Sequence, residues 1–359
     1  MSGVVIGEKL VTIEDVVAVA RGARVEIDRA GWERIDAGRA VLDAALAEGR
    51  PVYGVNRGVG HGKDVRLGDD ELRQVQRTLL LTHSGGLGPA APAELVRAAI
   101  LVRLAGMARG GSGASRAAVE VLLAMLNAGV HPVVPLDGSV GAGDLGQMAC
   151  VGLVAIGLGQ AEYDDELLSA AEALRRAGIA PLELQPKDGL TLMSSNGMSV
   201  GHGALVTDRA ARVAGLADVV AALSLEATEG NPEAVRPVVG AAKPYDGQLE
   251  ACRSMTAALA GSYLLEPDGP RSIQDPLSFR VVPQVHGAFR ELLGFVRGAV
   301  EVELNSMSDN PLVSVEDGSL VHNGNFHPMV LACAFDALRP AIAHVGLLSD
   351  RRMSHLWDA

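Results

Sequence analysis

The chain has 359 residues, with 31 Lys plus Arg against 43 Asp plus Glu and a formal net charge of −12. With 48% hydrophobic and 21% charged residues, it can bury a large core without disulfides, which excludes a disordered tail or a cross-linked secreted module. The acidic balance and the lack of a Lys/Arg run disfavour nucleic acid as a partner.

The first residues carry acids rather than a basic region followed by an apolar run, so no secretory leader is read there. Thr12, three residues before Asp15, predicts a capping box opening a helix to Arg21, with Val16, Val17 and Ala20 on one face. Residues 92–107 are apolar around most of the circumference and predict a helix buried nearly all round. Residues 116–128 predict another, ended by Gly129. The apolar run 148–159 falls well short of the ~20 residues a bilayer span needs, so no membrane association is expected. Long core helices are predicted over 202–229, 285–307 and 329–349, the last preceding Asp350, Arg351 and Arg352. Little sheet is expected beyond one hairpin, 312–315 with 319–321 across Asp317-Gly318. Cys150, Cys252 and Cys333 are the three cysteines; with no CxxC pair they suggest neither zinc nor redox chemistry, and a reducing cytoplasm is the inferred compartment. No secure domain boundary appears, although residues 229–243, rich in proline, come nearest to one.

Glycine concentrates in connections at 53–62, 83–88, 110–113 and 138–146, so the site is expected at helix termini. The segment Gly138-Ser139-Val140-Gly141-Ala142-Gly143-Asp144-Leu145 reads as a tight turn into a helix, with Asp144 accepting hydrogen bonds from that helix's first free amides. Taken alone it is either a structural loop or a ligand cradle; no Lys follows, so it is not a phosphate loop. His322 and His327 are five apart, but no third ligand pattern accompanies them, and no metal is assigned.

The 138–145 segment resembles the signature loop of the aromatic amino acid ammonia-lyase family, which reads Gly-Ser-Val-Gly-Ala-Ser-Gly-Asp-Leu and whose Ala-Ser-Gly cyclises into an electrophilic methylidene-imidazolone. Other blocks follow in family order. Tyr53-Gly54-Val55-Asn56 is similar to Tyr-Gly-Ile-Asn, and Leu81-Thr82-His83-Ser84 to Leu-Ser-His. Gln274-Asp275-Pro276-Leu277-Ser278-Phe279-Arg280 is similar to Gln-Asp-Pro-Tyr-Ser-Leu-Arg. Ser308-Asp309-Asn310-Pro311 and Gly324-Asn325-Phe326-His327 match their counterparts. The resemblance spans nearly the whole chain. It implies an all-α, ammonia-lyase/fumarase-like fold in one helical domain, 1–359, with a central bundle of long helices, glycine-rich loops at the site and minor hairpin content. It also implies a homo-oligomer, usually a tetramer.

Three departures bear on chemistry. Only Gly143 stands between Ala142 and Asp144, so the serine whose dehydration makes the methylidene is missing, and no cofactor or prosthetic group is expected on the degenerate loop Gly141, Ala142, Gly143 and Asp144. Leu277 replaces a tyrosine, and Asn196 falls two positions late in a loose match to Leu-Asn-Gly-Thr. The family continues beyond the point matched by Arg351-Arg352, so loss of that helical extension, or its supply by a separate chain, is also expected.

By the resemblance Tyr53 is the catalytic acid/base, while His83, Asn196, Gln274, Arg280, Asn325 and Phe326 line the substrate pocket. Each has a plainer reading on its own: a ring packed on a loop for Tyr53, a surface salt bridge for Arg280, a buried hydrogen-bonded histidine for His83 and a structural turn for Asn325. A phenol needs a nearby cation or oriented amides to work near neutrality. The leading expectation is a lyase-type enzyme acting on a small molecule without methylidene-imidazolone. Elimination or conjugate addition, whether dehydration, deamination or cyclisation, would occur next to an acidifying carbonyl. Arg280 would hold a carboxylate, and Asn196 and Asn325 the developing enolate. Two other readings stand beside it: a conventional aromatic amino acid (histidine) ammonia-lyase, and a catalytically silent homologue acting as a binding or assembly partner.

Overall fold

The computed structural model describes residues 3–68 and 72–358, which group into two compact units: Met1–Leu205 with Val300–Met329, and Val206–Ala299 with Val330–Ala359. Helix dominates both, as the apolar periodicity predicts.

In the first unit Thr12 and Asp15 form the reciprocal capping box, Thr12 Oγ1 accepting from the Asp15 amide at 3.1 Å and Asp15 Oδ2 from the Thr12 amide at 3.0 Å. The helix they open, Ile13–Ala20, buries Ile13, Val16, Val19 and Ala20, so Val19 takes the core position expected of Val17. It packs against Ala93–Ala108, which is buried continuously from Leu95 onward. Burial all round requires that helix to satisfy even its charged side chains internally. The Arg97 guanidinium donates to the carbonyls of Val19, Leu126 and Ala23 at 2.7, 2.8 and 3.1 Å. Two of those carbonyls lie in the last turns of Ile13–Ala20 and Arg116–Ala128, where the helix dipole favours a cation. Arg103 forms a two-bond pair with Asp309, both 1% exposed. The helix Arg116–Ala128 is capped by Ser115 and ends at Gly129 in the left-handed conformation.

The predicted hairpin forms with Leu312 opposite Val321 and Ser314 opposite Ser319. The sheet content is nevertheless wider than expected. A parallel pair joins Val4–Ile6 to Val25–Ile27, an antiparallel pair joins Leu87–Ala90 to Pro135–Asp137, and three strands combine His131–Pro132, Gln160–Tyr163 and Glu166–Ser169. These strands are two to four residues long, below the length at which alternation is readable.

The helix Gly197–Ala227 begins five residues before the predicted start, and Val282–Leu304 three before. In the second unit Ala221, Leu225, Met255, Leu259, Phe279 and Val282 share one core. Asp218, fully buried, accepts from Arg290 Nη2 at 2.6 Å and sits 2.7 Å from His286 Nδ1. The helix Met329–Asp358 runs past its expected end at Ser349. The charged cluster does not stop it because Arg352 is a core residue, donating to the Ser278 carbonyl at 3.2 Å. By length and composition alone this helix could also cross a bilayer, although within this chain 28% of its apolar window is buried.

Candidate active site

Tyr53 lies half-buried in the turn that follows Val52, and its ring position is set by two constraints. Its phenolic oxygen accepts from the Gly60 amide at 3.1 Å. The next residue, Gly54, has φ +66° and a Cβ there would come within 2.7 Å of Leu190, so only glycine fits. The Gly54 carbonyl accepts from Gln76 Nε2 at 2.8 Å, and the same fully buried Gln76 accepts, through Oε1, from the Leu190 amide at 3.1 Å. One side chain thereby ties the Tyr53 turn to the helix Asp188–Met193, which leads into Ser194, Ser195 and Asn196.

From there the contacts run into the glycine loop. The Asp144 amide donates to the Ser195 carbonyl at 2.8 Å and the Gly143 amide to the Phe326 carbonyl at 3.1 Å. Asn325 is held through its amide to Asn323 Oδ1 at 2.8 Å, and Asn323 Nδ2 donates to the Asp309 carbonyl at 3.0 Å. The His322 ring, at the end of the hairpin, meets the Tyr53 ring edge-on with centroids 6.3 Å apart and planes at 85°. A run of contacts and short chain segments thus joins Tyr53, Gln76, Ser195, Gly143 with Asp144, Phe326 and His322. Ala142 is exposed at its tip, while Gly143 and Asp144 are buried.

Asp144 corrects an expectation. It makes no side-chain bond to its own helix, Leu145–Ala155, because its ψ of 50° is not the extended conformation from which a cap folds back. Its carboxylate instead accepts from the amide and hydroxyl of Ser199, both at 2.7 Å, in the first turn of Gly197–Ala227. That satisfies a helix start from a distant residue, which accounts for the early beginning of that helix. Burial raises the Asp144 carboxyl and the Ser199 bonds partly oppose the shift.

Asn196 is 3% exposed, and neither of its amide atoms has a well-formed hydrogen bond among the described residues. Its amide nevertheless faces the Glu303 carboxyl, which burial raises and Asn196 partly lowers. His83 closes the helix Leu72–His83 with Nδ1 2.8 Å from the Leu79 carbonyl. Its own carbonyl lies close under Gly146, where a Cβ would stand 3.2 Å from it and 2.6 Å from the Gly85 carbonyl.

Gln274 and Arg280 belong to the second unit, where both are exposed. With its amide oxygen turned to Arg280, Gln274 accepts from Nε, Nη1 and Nη2 at 3.1, 2.8 and 2.6 Å. Among the described residues no cluster of three or more His, Cys, Asp or Glu side chains could hold a metal ion.

Sequence reasoning missed Gln76, Glu303 and the placement of His322. None carries a local signal: Gln76 sits in an ordinary helix, Glu303 in the last turn of another, and His322 stood out only for its spacing from His327.

A largely helical chain with a tyrosine, buried amides and an ordered glycine loop around one site defines a small-molecule enzyme of the lyase type. The comparisons with known proteins make this specific. Residues 11–359 match the family described as aromatic amino acid lyase, and the chain belongs to that family as an enzyme of the ammonia-lyase type. It is 43% identical over 362 residues to histidine ammonia-lyase of Anaeromyxobacter dehalogenans (strain 2CP-C), covering 98% of this chain and 71% of that protein. Among solved structures it is similar to ergothionase, the ergothioneine-degrading enzyme of Treponema denticola (TM-score 0.95, 33% identity, 98% of this chain and 71% of that one). It is also similar to phenylalanine aminomutase of Pantoea agglomerans (TM-score 0.93, 29% identity, 99% and 72%).

Proposed function

We propose that this enzyme catalyses elimination, or the reverse conjugate addition, on a small molecule whose α-proton is acidified by its own carbonyl, with Tyr53 as acid/base and without methylidene-imidazolone. The observation that carries this reading is the loop itself. Forming the group requires a β-hydroxyl between Ala142 and the glycine whose amide attacks, and the chain has none there. Ser139 is followed by Val140, and the Gly143 amide donates to the Phe326 carbonyl. The residues present do not fit the group.

Without an electrophile to activate an amine, the substrate must lower the barrier to proton removal itself. Tyr53 takes that proton, and the Gly60 amide aimed at its oxygen stabilises the charge it carries as base. The amide of Asn196, buried and facing the Glu303 carboxyl, is assigned as a donor for the enolate oxygen, and a fixed donor in a buried position needs no reorganisation when the charge develops. His83 and Phe326 are assigned to the pocket wall, as is Asn325. Arg280, engaged by Gln274 within the second unit, is assigned to a substrate carboxylate by the family resemblance alone. Exposed Val213, Leu216, Val219, Val220 and Leu223 on one helix support assembly with further copies of the chain, and a tetramer is the proposed form.

The second reading, a conventional histidine ammonia-lyase, is favoured by the 43% identity to such an enzyme. The two separate in one assay. The thioester 3-hydroxypropanoyl-N-acetylcysteamine is incubated in D2O and deuterium at its α-carbon is read by mass spectrometry, beside ammonia release from L-histidine. The proposed function expects α-exchange that Tyr53→Phe abolishes and no ammonia. Ammonia without exchange would establish the second reading.

A further inference from the structure

We propose that His322 is the general acid of the Tyr53 site, handing a proton to an oxygen leaving group, so that the substrate class is a β-hydroxy carbonyl compound and the reaction a dehydration or its reverse. This rests on the proposed function above and adds to it the residue that answers Tyr53.

An elimination needs two proton transfers, one from carbon and one to the departing atom, unless the leaving group already carries its proton. Tyr53 serves the first. For the second, a side chain must reach the same substrate, be held in place and exchange protons with solvent. His322 is the imidazole whose ring meets Tyr53, edge-on at 6.3 Å between centroids. Its backbone is fixed on both sides: Val321 pairs with Leu312 in the hairpin, and Asn323 is tied through its amide to Asn310 Oδ1 at 3.1 Å and through Nδ2 to the Asp309 carbonyl at 3.0 Å. Asp309 is in turn anchored by the buried Arg103. Neither His322 ring nitrogen has a hydrogen-bond or ion-pair partner among the described residues, and the residue is exposed, so a proton given up is replaced from water. By contrast His83 has Nδ1 held at the carbonyl of its own helix.

The step balances without a further reactant. Tyr53 Oη, as phenolate, takes the α-proton reversibly and the C–H electron pair passes into the enolate, which then collapses to form the new C=C bond. The Cβ–O bond breaks with its pair on oxygen, which takes the proton from a His322 nitrogen and departs as water. Tyr53 is left protonated and His322 neutral, and exchange with solvent restores both.

The test compares His322→Gln with wild type on two probes, 3-hydroxypropanoyl- and 3-aminopropanoyl-N-acetylcysteamine. The first loses hydroxide and needs an acid; the second leaves as ammonia from an ammonium that carries its own proton. A general acid contributes about 10²–10⁴-fold, so the variant is expected to lose at least about 100-fold in water loss from the first probe. Ammonia loss from the second and α-deuterium exchange should stay within about threefold. A loss equal on both probes would assign His322 a structural role, and unchanged water loss would remove it from the reaction; either overturns the proposal while Tyr53-dependent exchange keeps the underlying reading intact. No Tyr53-dependent exchange in wild type on either probe overturns the reading and the proposal together.

Discussion

The pair Arg103 with Asp309 offers the sharpest test of how the core supports the site. Both side chains are 1% exposed and share two hydrogen bonds, at 3.1 and 2.7 Å. Removing one partner of such a pair leaves a charge with neither water nor counter-ion, a loss of about 3–5 kcal/mol. Here the loss from Asp309→Leu should sit at the upper end, because Lys187 is a second cation whose charge Asp309 supports. The double variant Arg103→Met with Asp309→Leu removes both charges and exchanges them for apolar volume, and should recover to within about 1–2 kcal/mol of wild type. Urea denaturation followed by circular dichroism measures each, and the double-mutant cycle gives the coupling. Because Asp309 also carries the carbonyl that holds Asn323, the single variant should loosen the His322 to Phe326 segment, seen as faster amide exchange there. A single variant losing less than about 1 kcal/mol, the range of a surface ion pair, would refute the reasoning.

Two further outcomes follow from buried groups. Lys187 is fully buried, and desolvation pushes it from its ordinary 10.5 to about 8. Between those values the unfolded chain holds more protons than the folded one, so stability gained from this residue rises with pH across that window, by about 3 kcal/mol in total. Wild type should gain on Lys187→Met as pH goes from 8 to 10 in chemical denaturation; a constant difference would contradict the assignment. Gln76→Ala should cost about 2–4 kcal/mol by stranding the Gly54 carbonyl and the Leu190 amide. It should also reduce Tyr53-dependent α-exchange, whereas stability lost with exchange intact would show that Gln76 does not position Tyr53.

The helical architecture was legible because its signals are local. The Thr12 and Asp15 capping box, the all-round apolar stretch around Ile100 and the left-handed Gly129 each declare themselves within a turn or two. The Gln160–Tyr163 and Glu166–Ser169 hairpin was not, because its turn residues Asp164 and Asp165 take positive φ without the glycine that usually marks such a turn. Within the site, Tyr53, the 141–144 loop and Asn325-Phe326 were found through the resemblance, and their juxtaposition depends on contacts across the first unit. Asp144 shows the limit most clearly: its position before an apolar run suggested a local cap, yet its carboxylate serves Ser199, 55 residues on. Gln76 and Glu303 act on Leu190 and Asn196 over more than a hundred residues, a separation no pattern in a single sequence encodes.

The proposed function requires that catalysis proceed without a cyclised Ala142-Gly143 loop. Intact-mass spectrometry of the purified protein, with peptide mapping of residues 138–145 and an ultraviolet difference spectrum, tests it most directly. Cyclisation and dehydration remove two waters, about 36 Da. A protein that works without the group has the unmodified sequence mass, an unaltered 138–145 peptide and no added absorption; a two-water deficit localised to that peptide would contradict the proposed function.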